Sequence, residues 1–270
     1  MKKVILTVAP VSADAVRLDP DAVARDVADC VAAGASVVHL HVRGADNRLT
    51  DDLTVLREIV GGIDARTDAV IQVSTGGVSA MTIAQRCAPL SFDRVEMASL
   101  NVGSVNLGEA VYANPIGDVR YCVAQLEKHN ILPEVEVFEL GMIHTMTGLS
   151  RTSSLRGPLL FNIILGASGA APANPEALFA LRSAIPAGAL WGLSHAGRRD
   201  MRLLVAGVLL GASTVRIGFE DSILLDETTT ARSNAELVEK LAGILRACGV
   251  ETATPAEARE MLRLDVRRPV

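Results

Sequence analysis

The sequence predicts an α/β protein of the (β/α)8 TIM-barrel class, folded as a single domain. Strand-like and helix-like segments alternate from one end of the chain to the other, and eight such pairs fit within 270 residues. The apolar content is aliphatic, 49% hydrophobic residues with only 3% aromatics, which suits parallel strands covered by helices. The turn after the first strand, Ala9-Pro10-Val11-Ser12, lacks the G-x-G-x-x-G of an open dinucleotide-binding sheet.

The strands are expected at residues 4–9, 36–42, 70–75, 94–99, 132–139, 159–165, 189–194 and 214–219, each a short run rich in Val, Ile or Leu. Helices are expected between them at 20–33, 51–66, 79–87, 116–129, 142–155, 175–183, 198–210 and 234–248. Asp19-Pro20 and Asn174-Pro175 each place a capping side chain before a proline at the first helical position. No linker or low-complexity stretch divides the chain, so residues 1–270 read as one domain. A short helical extension follows after about residue 250, with a helix at 255–264 expected to pack outside the barrel.

A formal charge of −5 with interspersed signs offers no basic stripe and argues against nucleic-acid binding. Cys30, Cys87, Cys122 and Cys248 form no C-x-x-C pair, as expected of small buried hydrophobes in a reducing, cytoplasmic setting. Met1-Lys2-Lys3-Val4 begins a strand rather than a signal peptide, and no apolar run approaches the ~20 residues of a membrane span. A soluble protein is expected.

The chemistry gathers at the carboxyl ends of the strands, where barrel enzymes place it. His39-Leu40-His41 closes an apolar run, and the period of two puts both imidazoles on one face. Two such rings are a half-site for a divalent metal, with zinc the usual choice. Arg216, Gly218 and Glu220 likewise share a face, making Glu220 a third ligand, Arg216 an anchor for an anion, and Asp221 a base turned toward the mouth. The alternatives are hydrogen-bonded core histidines and a buried ion pair. Ser74-Thr75-Gly76-Gly77 offers backbone N–H groups to a carboxylate or phosphate, unless it is a plain turn. Glu134 and Glu136 share a strand face, where they serve a site or pair with interior groups. Asp14, Ser99, Asn101 and Asn162 complete the polar strand ends, and His195 closes the seventh strand. These residues alone leave open a metal-dependent barrel hydrolase or aldolase, and a noncatalytic barrel binding a CoA ester or carboxylate.

Five segments narrow the choice: residues 38–43 (VHLHVR), 72–77 (QVSTGG), 96–106 (EMASLNVGSVN), 133–142 (PEVEVFELGM) and 215–221 (VRIGFED). In this order they resemble the β-keto acid cleavage enzymes, the family that includes the 3-keto-5-aminohexanoate cleavage enzymes. The resemblance implies a zinc-dependent (β/α)8 enzyme, homo-oligomeric as a tetramer or dimer. It would take a β-keto acid, amino-bearing substrates included, and acetyl-CoA to acetoacetate and a new acyl-CoA. His39, His41 and Glu220 would hold the metal. Ser74, Gly77, Arg216 and Asp221 would handle substrate and protons, with Glu136 as interior support. Ser99 or Asn101 would touch substrate, and Asp14 would match the family's acidic residue that meets a substrate ammonium. Two positions depart from the pattern: Ser222 follows Glu-Asp where Asn is common, and Val11-Ser12 replaces a Thr-Gly.

Overall fold

Eight parallel strands close on themselves in the computed structural model, which describes residues 2–265. They are β1 (Lys2–Val8), β2 (Val37–Leu40), β3 (Val70–Val73), β4 (Met97–Asn101), β5 (Leu132–Val137), β6 (Leu160–Leu165), β7 (Leu190–His195) and β8 (Thr214–Ile217). Each pairs with its sequence neighbours, and β8 returns to β1 with Val215 level with Leu6 and Arg216 with Thr7. The chain is a single-domain TIM barrel. The expectation for Met1 and residues 266–270 lies outside the described residues.

The intervening helices are α1 (Pro20–Ala33), α2 (Thr54–Asp64), α3 (Ile83–Arg86), α4 (Ile116–His129), α5 (Leu140–Leu149), α6 (Pro175–Ala184), α7 (Arg202–Leu209) and α8 (Asn234–Ala247). Asp19 caps α1 by accepting from the N–H groups of Asp21 and Ala22, and Asn174 caps α6 by accepting from Ala177. Three helices, α2, α3 and α7, start later than expected; Thr82 sets the start of α3 by accepting the N–H of Gln85. Asp52 accepts the N–H of Thr54 at 2.9 Å, which holds the preceding residues in a turn. The segment before α7 is drawn into the rim because Arg198 buries its guanidinium against the carbonyl oxygens of Ser222 and Leu224.

The wall packs outward through aliphatic side chains: Val4, Leu6 and Val8 of β1 join Val38, Ile71, Val135 and Val215 under the helices. The opposite face looks into the barrel. At its amino-terminal end Ile5, Val37, Val70, Met97, Leu132 and Leu160 form an apolar floor. The tail closes this floor rather than lying outside the barrel. Val250–Thr252 adds a parallel strand to β1, and α9 (Pro255–Leu262) brings Ala258 and Leu262 against the floor residues. Arg259 then meets Glu96 at 2.6 Å, with Arg94 on the same carboxylate. An antiparallel hairpin, Val105–Leu107 with Ala110–Tyr112, follows β4. Its N–H at Gly108 bonds Ser168 O at 2.9 Å, tying the hairpin to the loop after β6.

The thiols of Cys30, Cys87 and Cys122 are buried and that of Cys248 is exposed, all four free. No helix among the described residues is long and apolar enough to cross a membrane.

Candidate active site

His39 and His41 project inward from the top of β2, with ring centroids 5.3 Å apart and planes at 78°. Glu220 reaches them from the far side of the sequence because the chain turns sharply after β8. Gly218 makes that turn at φ +153°, and a Cβ there would fall 2.1 Å from the carbonyl oxygen of Ala9. The Glu220 N–H bonds that same oxygen at 3.2 Å. Its carboxylate Oε1 lies 3.4 Å from His41 Nε2 and 4.0 Å from His39 Nε2. The three candidate ligand atoms all lie within 4.8 Å of one another. Gly218→Ala is expected to destabilise the protein by about 3 kcal/mol and to lower its metal affinity, because backbone rather than a flexible side chain opposes the added carbon. Chemical denaturation and a metal-competition titration check both.

The donor set fits a divalent cation. His39 Nε2 is buried without a hydrogen-bond partner, a costly arrangement for a nitrogen lone pair unless something fills it. Burial lowers the His39 pKa to about 3, so the ring is neutral, the form that binds metal. Burial opposes the charge on Glu220, but His41 and Arg216 outweigh it and hold the carboxylate well below its usual range. Two imidazoles and a carboxylate leave open coordination positions, the pattern of a catalytic metal site.

Arg216, from β8, stands among three carboxylates. It grips Asp221 with two bonds, Nη2 to Oδ1 at 2.6 Å and Nε to Oδ2 at 3.2 Å, and reaches Glu220 at 3.5 Å and Glu136 at 3.9 Å. Asp221 is therefore not the free side chain expected from its position. The arginine holds it in one orientation, and both groups are buried. Burial pushes Asp221 above the ordinary carboxylate range while Arg216 opposes the rise. Glu136 is pushed up for the same reason, opposed by Arg216 and His41.

The turn after β3 is more closed than expected. Gly76 N–H bonds Ser74 Oγ at 3.2 Å, and the Tyr112 hydroxyl packs directly against Gly76. The Gly76 N–H is thus already engaged within the turn, which contributes the Ser74 hydroxyl and the edge of Gly77 to the cavity. A Cβ on Gly76 would fall 1.4 Å from the Tyr112 oxygen, so that glycine lets the hairpin close over the barrel mouth. The resulting cavity is about 200 Å³ and brings together His41, Ser74, Gly77, Glu136, Arg216, Glu220 and Asp221. Its opposite wall is apolar, built from Leu107, Tyr112, Phe138, Ile164 and Ala167.

Three of the residues expected to touch substrate stand apart from this cavity. Ser99 is buried beneath it with its hydroxyl 3.5 Å from Ser74 Oγ, which makes it a support for that serine. Asn101 is buried one inward position higher, level with Glu136, and its Nδ2 has no partner. Asp14 is exposed, because Asn47 Nδ2 gathers the carbonyl oxygens of Ser12, Ala13 and Ala15 and leaves the intervening side chain on the outside. The sequence reading missed Tyr112 and Leu107, whose hairpin strands are too short to register, and Arg198, whose charge bears on Asp221. It also missed Gln72, which binds His39 Nδ1 at 2.7 Å, although Gln72 shares the inward period of β3.

A closed parallel barrel with two histidines, a glutamate and an Arg–Asp pair at its carboxyl rim defines a TIM-barrel enzyme with a candidate metal centre. The chain belongs to the beta-keto acid cleavage enzyme family, whose model matches residues 3–264. It is 33% identical to the 3-keto-5-aminohexanoate cleavage enzyme of Fusobacterium nucleatum over 98% of this chain and 99% of that one. It is also 35% identical to the 3-oxoadipate:acetyl-CoA acetyltransferase of Cupriavidus necator, over 86% of this chain and 82% of that one. Among solved structures, ObcA in ternary complex with a C4-CoA adduct and oxalate superposes with a TM-score of 0.76 at 23% identity, over 92% of this chain and 67% of that one. That likeness concerns the fold.

Proposed function

We propose that the protein condenses a β-keto acid with acetyl-CoA, giving acetoacetate and a new acyl-CoA, with zinc held by His39, His41 and Glu220. The observation that carries this reading is the convergence of those three side chains beside the Arg216–Asp221 pair in one cavity of a chain of this family. The names of the relatives support both the keto acid and the acetyl-CoA.

The chemistry zinc supplies there is Lewis-acid polarisation of the substrate's oxygen atoms. Asp221 takes a proton from C2, the carbon between the keto and carboxylate groups. Its raised pKa brings it nearer to the operating pH, as a general base needs. C2 then attacks the thioester carbonyl of acetyl-CoA and CoA thiolate leaves. The thiolate adds to the former C3 ketone, the C2–C3 bond breaks, and the released acetoacetate carbanion recovers its proton from Asp221. Arg216 keeps Asp221 oriented and balances the negative charge that moves through these steps. The Ser74 hydroxyl and the Gly77 edge position the substrate, with Glu136 bracing Arg216 from below. Asn101 offers its unpartnered Nδ2 to this end of the barrel, and Ser99 holds Ser74 in place. The apolar wall receives the substituent on C3. Asp14, outside the cavity lining, has no part in this reading.

Exposed Phe179, Leu209 and Leu210 on the outer helices support assembly into a homo-oligomer, which light scattering on the purified protein measures directly. The function is tested by incubating the enzyme with acetyl-CoA and a panel of amino-bearing, dicarboxylic and unsubstituted β-keto acids. Acetoacetate and the matching acyl-CoA are expected in equal amounts from at least one of them. Failure of every member of the panel to yield acetoacetate above the enzyme-free control would overturn the proposal.

A further inference from the structure

His39 is held by a buried hydrogen-bond chain whose direction has a consequence for the metal site. Its Nδ1 lies 2.7 Å from Gln72 Oε1, and Gln72 Nε2 lies 2.9 Å from Glu134 Oε2. All three side chains are buried, at 1%, 0% and 3% exposure. They come from adjacent inward positions of β2, β3 and, beyond β4, β5, with His39 level with Gln72. An ionised carboxylate can only accept hydrogen bonds, so Glu134 draws the NH2 end of Gln72 toward itself. The amide oxygen then faces His39, which must place its proton on Nδ1. The second ring nitrogen is left bare, and it is the same Nε2 that is buried without a partner. Were the amide reversed, Nδ1 would have to accept and Nε2 would carry the proton, with no lone pair for a cation.

We infer that Gln72 and Glu134 are positioning residues that select the Nδ1–H tautomer of His39 and so prepare Nε2 to bind the divalent cation. This rests on the metal-site reading of His39, His41 and Glu220. Burial lifts Glu134 to about 7 even though the Gln72 hydrogen bond and Arg216 oppose the rise, so the carboxylate is ionised well above neutral pH.

The test has two readouts, taken above neutral pH on the full chain. Ring-nitrogen NMR shifts of ¹⁵N-histidine report the His39 tautomer in metal-free protein, and competition with a chromophoric chelator reports zinc affinity. Wild-type protein is expected to show the Nδ1–H tautomer. Gln72→Leu, which removes the acceptor, is expected to lose that preference and to weaken zinc binding about 10- to 100-fold, the range set by outer partners of metal-binding histidines. The exchange Gln72→Glu with Glu134→Gln restores an acceptor facing Nδ1 and a donor behind it. It is expected to recover affinity to within a few-fold of wild type, a rescue that a merely space-filling role would not produce. An Nε2–H tautomer in the metal-free wild-type protein overturns the proposal, whether or not any variant folds. So does unchanged zinc affinity in Gln72→Leu. A wild-type protein with the Nδ1–H tautomer and no zinc affinity at all would instead count against the metal site, leaving the tautomer assignment intact.

Discussion

Asp221→Asn is expected to lower turnover by about 10²- to 10⁴-fold, the span that a positioned general base contributes. The change is nearly isosteric, and the amide oxygen still accepts from Arg216, while Glu136 and Glu220 continue to surround that guanidinium. The charge balance around Arg216 therefore shifts without leaving it alone, and the fold is expected to survive. Zinc content is expected to match wild type, because His39, His41 and Glu220 are untouched. What disappears is the basic oxygen that takes the C2 proton. Initial rates of acetoacetate formation, metal content and circular dichroism on the same preparation separate these effects. A variant that keeps the wild-type rate would remove Asp221 from the mechanism.

The second large effect falls on the metal. Glu220→Gln is expected to weaken zinc binding by more than about 100-fold, beyond the range produced by outer partners, since it removes the anionic ligand itself. In wild-type protein, zinc added well above its dissociation constant raises thermal stability by mass action, about 2.7 kcal/mol at a hundredfold excess. In the variant that gain is expected to vanish at the same zinc concentration, together with activity. Thermal melts across a zinc titration follow both proteins. An undiminished zinc-induced shift in Glu220→Gln would show that the cation binds elsewhere.

Much of this site was readable before any coordinate. The period of two put His39 with His41 on an inward face and led to the expectation of Glu220 beside Arg216, although β8 ends at Ile217 and the Gly218 turn is what brings Glu220 in. A closed barrel brings the first and last strands side by side. That is why ligands 179 to 181 positions apart in the sequence meet. The register of neighbouring strands is harder to read, because a slip of one residue reverses every face. The link from His39 through Gln72 to Glu134 depends on that register, and so it emerged only from the structure. Loops were the least legible parts. The hairpin after β4 consists of two three-residue strands, too short for any periodic signal, yet its Leu107 and Tyr112 line the cavity. Arg198 looked like the start of a helix, but its guanidinium finds two rim carbonyls instead. Asp14 was placed by its distance along the chain, whereas its orientation is decided by Asn47, which lies 33 residues later. The tail helix read correctly as a helix; its place across the barrel floor follows from apolar contacts made by Ala258 and Leu262 with strands far away in sequence.

The central assertion is that one cation joins β2 to the turn after β8. Crystals grown from protein purified without chelator and supplied with zinc, measured on both sides of the zinc absorption edge, address it directly. The expected result is one anomalous peak per chain, bonded at about 2.0–2.2 Å to both imidazoles and to the Glu220 carboxylate. A map with no peak between those three side chains, or with the peak at another cluster, would contradict it.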